Sequence, residues 1–311
     1  MTAAESVFEA VGAITFGPAQ TFRNLTLVPL VADEPRAADY AILDEALALG
    51  TVQIGETSEA GRVPELKVLN HGDKAVFLLD GEELIGAKQN RVLNLSILVP
   101  PHSESTIPVS CVESGRWSRR SAHFGSAPRA HYAEGRSAKM QQVTASLRAT
   151  GTRGSDQRAV WAGIEEKMLR LGARSDTAAM AAMYENLQQP IEDFVSAFQP
   201  MAGQVGAMFL VNGRAGGIEL FDAPETWRKL SSKLIRSYAL DAIDRKNEQA
   251  VPVAPLQGSD LIDAIRSSQA TIFTAVGEGD DVRLTGTGIA AAAVVARGRA
   301  IHLSAFATQT P

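Results

Sequence analysis

Residues Phe77 to Trp117 read FLLDGEELIGAKQNRVLNLSILVPPHSESTIPVSCVESGRW. Apolar β-type runs make up most of this stretch, and charged and amide side chains are set between them. Asp80-Gly81 has turn composition, Arg91 to Val99 alternates in part and is closed by Pro100-Pro101, and Thr106 to Val112 resumes the strand pattern. Strands joined by tight turns predict antiparallel pairing. The polar groups at their ends then fall on one rim of the sheet.

Upstream, residues 13 to 31 are rich in β-branched and aromatic residues, broken by Gly17-Pro18, and read as a hairpin. Ala38 to Leu49 carries Ile42, Leu43, Ala46 and Leu47 at helical spacing, with Gly50 placed to end the helix, and a strand runs from Thr51 to Gly55. Glu65 to Leu69 and Ala75 to Leu79 are strands around the turn residues Asn70 to Asp73.

Downstream, Val160, Trp161, Ile164, Met168 and Leu171 share one face of a helix that begins near Asp156 and stops at Gly172. Ser175 opens a second helix to about Phe198, kinked at Pro190, and the two read as an antiparallel pair. Asn212-Gly213 between Val205–Val211 and Ile218–Phe221 signals a hairpin. Asp222-Ala-Pro-Glu225 then opens a long helix with Trp227, Leu230, Leu234, Tyr238 and Ala242 in a stripe. A shorter helix spans Ser259 to Ser268, and strands Ile289–Ala296 and Ala300–Phe306 flank Arg297-Gly298.

The order of elements predicts an α+β fold. The N-terminal half is mainly antiparallel β, a helical pair stands in the middle, and a β-hairpin, long helix and terminal strands form the C-terminal half. The corresponding domains are a β-rich lobe over 1–115, a basic connection or lid over 116–154 and an α+β lobe over 155–311, unless all three form one continuous compact domain.

The chain has 311 residues, 45% hydrophobic and 21% charged, with net charge −5, which is an ordinary globular composition. The first residues lack a basic leader, and the longest apolar run, Ile289 to Ala296, is far short of the roughly 18 residues that a membrane span needs. A cytoplasmic protein without a membrane partner is expected. One cysteine, Cys111, excludes an internal disulfide, and no Cys-x-x-Cys or His-Glu-x-x-His spacing suggests zinc. No metal or cofactor is expected.

Charge is unevenly spread. Residues 116 to 158 hold nine Lys or Arg against two acids, a surplus of seven, so the rest of the chain carries minus twelve. Arginine forks fit phosphates, and Trp117, Phe124 and Tyr132 could stack a base, whereas a solvated basic loop explains the same composition. Nucleic acid is a poor match for an acidic protein without a recognised motif. Gly286-Thr-Gly288-Ile-Ala-Ala291 has dinucleotide-fingerprint spacing but precedes a hairpin where that motif needs a helix. Phosphate-loop and nucleophile-elbow motifs are absent.

Glu83 and Glu113 are the candidate catalytic carboxylates, and Lys88, Gln89, Asn90, Arg91, Arg116, Trp117, Arg136 and Lys139 the candidate ligand-binding residues. A carboxylate beside a ribosyl carbon can stabilise oxocarbenium character or act as a general base. The competing reading pairs the same charges structurally, and a cysteine in an apolar strand is most often inert.

The runs GEELIGAKQNR (81–91), IPVSCVESGRW (107–117), DQRAVW (156–161), VNGRAGGIELFD (211–222) and LIRSYALDAI (234–243) resemble the ARG and Rhodanese-Phosphatase-superfamily-associated protein domain, from about Ala13 to Phe306. The resemblance implies functional association with ADP-ribosylglycohydrolases or phosphatases, near ADP-ribose or NAD metabolism. It carries over no catalytic residues. Two functions follow as alternatives: binding or hydrolytic processing of an ADP-ribose-like or other phosphorylated nucleotide or ribose, and a non-catalytic regulatory or interaction module whose polar cluster is structural.

Overall fold

The computed structural model describes residues 1–58, 63–118, 120–251 and 257–308. Arg119 of the basic segment lies outside them. The chain forms two units, one built from Met1–Ala38, Ile191–Ala275 and Gly279–Pro311, the other from Asp39–Pro190 and Val276–Glu278. These breaks differ from those expected at 115 and 154, because strands far apart in sequence pair within each unit.

The chain opens with helix α1 (Ala3–Gly12), which the sequence reading did not include. Its start carries a capping box, with the Glu5 N–H donating to Thr2 Oγ1 and the Thr2 N–H to Glu5. Strands β1 (Ile14–Phe16) and β2 (Gln20–Phe22) both pair with β3 (Leu25–Ala32), so the expected hairpin is two short strands on one longer strand.

The Asp39–Pro190 unit follows. It contains β4 (Tyr40–Ile42), α2 (Leu43–Ala48), β5 (Val52–Glu56), β6 (Glu65–Asn70), β7 (Ala75–Leu78), β8 (Glu82–Gly86), β9 (Arg91–Leu93), β10 (Ile97–Val99), β11 (Ser103–Cys111) and β12 (Phe124–Ala130). Helices α3 (Ala133–Thr150), α4 (Gln157–Leu171) and α5 (Ala181–Asn186) come next, and α6 (Gln188–Ala197) carries the chain into the other unit. Six strands form an antiparallel sheet in the order β12-β8-β9-β11-β6-β5. Its edge strands β5 and β12 approach each other, so the sheet curls around an inner face of Val52, Ile54, Leu66, Val68, Leu84, Leu93, Ile107, Val109 and Phe124. A second sheet, β10-β7-β4, includes the parallel pair β4–β7.

Three expectations change here. The strand read over 91–99 is two strands in different sheets, parted at Asn94, whose side chain turns out to bond Arg153 O and Ser110 Oγ. Much of the basic segment is ordered as β12 and α3. Arg136, Lys139 and Thr144 occupy buried positions on α3 beside Met140, Val143 and Leu147, and these polar residues hide the apolar period from the sequence. Helix α4 packs on α3 and β11. The helix expected from Ser175 is the two pieces α5 and α6, and Ser175 Oγ instead accepts from the Ala179 N–H at 2.9 Å.

The remaining unit is completed by β13 (Gln204–Val211), β14 (Arg214–Phe221), α7 (Pro224–Asp244), α8 (Gln257–Arg266), β15 (Gln269–Thr274), β16 (Asp280–Gly286), β17 (Ile289–Ala296) and β18 (Arg299–Ala307). Its sheet runs β1-β3-β13-β14-β18-β17-β16-β15, with β2 on β3. Asn212 and Gly213 have φ of 52° and 75°, as a two-residue hairpin turn with the twist of its strands requires. Pro224 opens α7, and the stripe from Trp227 to Ala242 is buried. Asp222 does not cap this helix; it pairs with Arg299 Nε at 2.6 Å. Gly286 and Gly288 lie in the β16–β17 hairpin. The fold is mixed α+β with mainly antiparallel sheets.

Candidate functional site

The turn at Asp80-Gly81 aims β8. Gly81 has φ of 76°, and a Cβ there would meet Arg136 at 2.8 Å, so only glycine fits without displacing that side chain. Strands β8 and β9 pair through Glu83↔Val92 and Leu84↔Arg91. Because side chains alternate along a strand, Glu83 faces outward while Arg91 shares the inner face with Leu84.

On the outer side, Glu83 is fully buried and accepts from Asn90 Nδ2 at 3.1 Å and from Arg129 Nε. Burial pushes the Glu83 carboxyl above its ordinary value, and the Arg129 and Asn90 contacts do not offset it. Glu113 follows β11. It accepts from Arg116 Nε at 2.8 Å, the Asn90 N–H at 3.1 Å and Thr177 Oγ1 at 3.0 Å. Burial works to raise its pKa, but these three hydrogen bonds prevail and hold it below the ordinary carboxylate value. Asn90 therefore joins two carboxylates of opposite tendency, and its Oδ1 accepts from Arg116 Nη2 at 3.0 Å.

Arg116 is saturated. Nη1 donates to Ala87 O and Ser118 O, both at 2.9 Å, and Nη2 reaches Gly86 O, Asn90 Oδ1 and Glu113. Gln89 turns the other way. Its Oε1 accepts from Arg91 Nη1 at 3.0 Å and Cys111 Sγ at 3.2 Å, and its Nε2 donates to Glu113 O at 3.0 Å. Trp117 is 51% exposed, with the Lys88 ammonium 5.3 Å and the Arg91 guanidinium 5.9 Å from its ring centroid.

Glu83, Asn90, Glu113 and Arg116 thus meet in one hydrogen-bonded cluster, with Gln89 linking it to Arg91 and Trp117 beside Lys88. Arg136 and Lys139 do not join them. Both are fully buried on α3 and hold Asp80, at 3.3 Å from Arg136 Nε and 2.9 Å from Lys139 Nζ.

A cleft of about 470 Å³ opens beside the cluster, lined by Asn90, Glu113, Arg120, Arg129, Thr177 and Glu185 among others. One wall is the chain after α4, fixed where Gly115 N–H donates to Thr177 O at 2.8 Å and Glu113 bridges Ala179. Gly115 permits this approach, since a Cβ there would lie 2.8 Å from Thr177 Cα. Arg129 is engaged by Glu83 and stands 3.7 Å from Glu185. Arg120 is exposed, and its guanidinium has no hydrogen bond or ion pair among the described residues.

Arg120 and Arg129 were visible in sequence only as members of the basic run, and Thr177 carried no signal. Among the described residues, no group of three or more His, Cys, Asp or Glu could hold a metal ion, and no helix is long and apolar enough to cross a membrane.

The chain belongs to the ARG and Rhodanese-Phosphatase-superfamily-associated Protein domain family, whose model matches residues 13–306. No curated protein and no solved structure matches it.

Proposed function

We propose that the cleft over Glu113 binds a small anionic ligand of the phosphorylated ribose or nucleotide type, ADP-ribose-like in its chemistry. The observation that carries this reading is Arg120, whose guanidinium has no hydrogen bond or ion pair among the described residues, on the wall of a 470 Å³ cleft that also contains Glu113. A phosphate at Arg120 would gain charge-assisted hydrogen bonds, and Thr177 and Glu113 would meet ribose hydroxyls. Glu113, ionised at neutral pH, suits polarising a hydroxyl or a water if the ligand is hydrolysed. Glu83 lies behind Asn90 and Arg129 and serves to hold Arg129 in place. The family name supports a role alongside ADP-ribosylglycohydrolases or phosphatases, which we place in the cytoplasm.

A second reading, a non-catalytic regulatory or interaction module, is favoured by the saturation of Arg116 and the pairing of Glu83 with Arg129. Thermal shift against ADP-ribose, NAD, ribose 5-phosphate and inorganic phosphate separates the two. A ligand at about a hundred times its Kd adds about 2.7 kcal/mol of stability. Ligand binding predicts such a rise for the wild type and its loss in Arg120→Ala at unchanged basal stability; no rise with any of the four leaves the structural module.

A further inference from the structure

Arg91 is the most deeply buried cation near the site that the cleft does not use. Its side chain has no solvent exposure, and among the described residues Nη1 alone of its guanidinium donates hydrogen bonds, to Gln89 Oε1 at 3.0 Å and, more loosely, to Asn90 O at 3.4 Å. Nε and Nη2 are shut off from solvent and have no hydrogen-bond partner among the described residues. A buried cation left in this state is costly, so the unused edge implies a partner. Nε and Nη2 are the two parallel donors with which arginine grips a carboxylate or phosphate bidentately.

Other buried polar groups of this unit lie on the same side. Cys111 is the register partner of Arg91, next to the inner-face pair Val109↔Leu93. Glu56 follows Val52 and Ile54 at every second position of β5, so its carboxylate points to the inner face as well. Both Glu56 oxygens, Thr57 Oγ1 and Trp161 Nε1 are buried without a hydrogen-bond partner among the described residues. Cys111, Glu56, Arg116 and Glu113 lie within electrostatic range of the Arg91 guanidinium, and the Trp161 indole acts on the Cys111 thiol as a weak hydrogen-bonding group that an oxygen ligand would replace. Helix α4 brings Trp161 in, held to β11 by Gln157, which bonds both the Cys111 N–H and its carbonyl at 2.8 Å.

One guanidinium edge and one carboxylate therefore face the inner side of the sheet, with the Trp161 indole beside the Cys111 thiol of the same face. The charges balance, Arg91 and Arg116 against Glu56 and Glu113, because burial pushes the Cys111 thiol up and keeps it neutral. A phosphate dianion would set two negative charges against Glu56. A monocarboxylate with a hydroxyl or ammonium group on the neighbouring carbon matches both ends, taking the Arg91 fork and the Trp161 N–H on its carboxylate and donating to Glu56.

We infer that the inner face of the curled sheet at Arg91 is a second binding site, distinct from the cleft, for a small 2-hydroxy or 2-amino carboxylate. Arg91 Nε and Nη2 hold its carboxylate, Trp161 adds a hydrogen bond, and Glu56 accepts from its hydroxyl or ammonium. Trp117, which faces the same guanidinium, covers the site.

The test titrates the full chain with glycolate, glycine, acetate and inorganic phosphate, read by melting temperature and by tryptophan emission, to which Trp117 and Trp161 contribute. Glycolate or glycine should raise the melting temperature and change the emission saturably at millimolar concentration, and acetate should bind more weakly because it cannot donate to Glu56. Trp161→Phe, which removes the N–H and keeps an aromatic ring, and Glu56→Gln should each weaken that ligand about tenfold; both can be checked for folding without the ligand. No saturable response to glycolate or glycine would overturn the site, and so would an equal response in Trp161→Phe, or phosphate as the one probe bound. Arg120→Ala should leave the glycolate or glycine response unchanged, which separates this result from the fate of the cleft.

Discussion

Replacing Arg116 by alanine removes the group on which the cluster turns. The side chain is 4% exposed and Glu113 2%, so the pair is buried on both sides. Taking away one partner of a buried pair costs about 3–5 kcal/mol, because the other charge is left without compensation. Glu113 keeps the Asn90 N–H and Thr177 Oγ1, which favours the lower end, while Ala87 O, Ser118 O and Gly86 O each lose a donor, which raises it again. The expected loss is about 3–4 kcal/mol. At an m-value of about 2 kcal/mol/M the urea midpoint of the transition that includes this unit falls by about 1.5–2 M. Arg116→Lys returns the charge without the planar fork and should recover part of the loss. A fall under about 0.5 M for Arg116→Ala, accompanied by loss of ligand-induced stabilisation, would refute the reasoning and make Arg116 a ligand group.

Asp80→Asn leaves two fully buried cations, Arg136 and Lys139, with a neutral partner; an equilibrium denaturation loss of about 3–5 kcal/mol is expected, and a near-neutral result would show that these cations are not held by Asp80. His131 is kept neutral by burial, with Lys139, Arg136 and Lys167 adding to the effect, and its pKa lies well below the ordinary 6.5. The unfolded chain therefore takes up a proton below that pH which the folded chain does not, so stability falls as pH drops from 7.5 to 5.5, by about 1.4 kcal/mol from this group. Denaturation at the two pH values should show His131→Gln losing correspondingly less than the wild type. Gly115→Ala sets a Cβ against the Thr177 backbone; amide exchange should quicken across residues 175–179, and unchanged protection there would mean that this approach does not fix the cleft wall.

Much of the local structure follows from short-range physics that the sequence carries openly. Asn212-Gly213 and Gly298 make turns between apolar runs because asparagine and glycine accept positive φ, and Pro224 followed by the stripe from Trp227 to Ala242 specifies α7 wherever it packs. Thr2 and Glu5 mark the start of α1 by the same kind of rule. The segments 83–91 and 113–117 could also be singled out as one polar cluster, because charges and amides set among buried strands must find each other. What the chain order could not reveal is which distant groups complete them. β3 pairs with β13, more than 170 residues on, and β12 pairs with β8, so the two units are decided by sheet partners that no local period encodes. The buried face of α3 includes Arg136 and Lys139 because Asp80 meets them there; without that partner the same residues read as a solvated basic loop. Arg129 behind Glu83, Thr177 on Glu113 and the unused edge of Arg91 are likewise facts of tertiary contact. A side chain's charge is written in the sequence, but whether that charge is satisfied, and by what, is settled only when the strands and helices have closed around it.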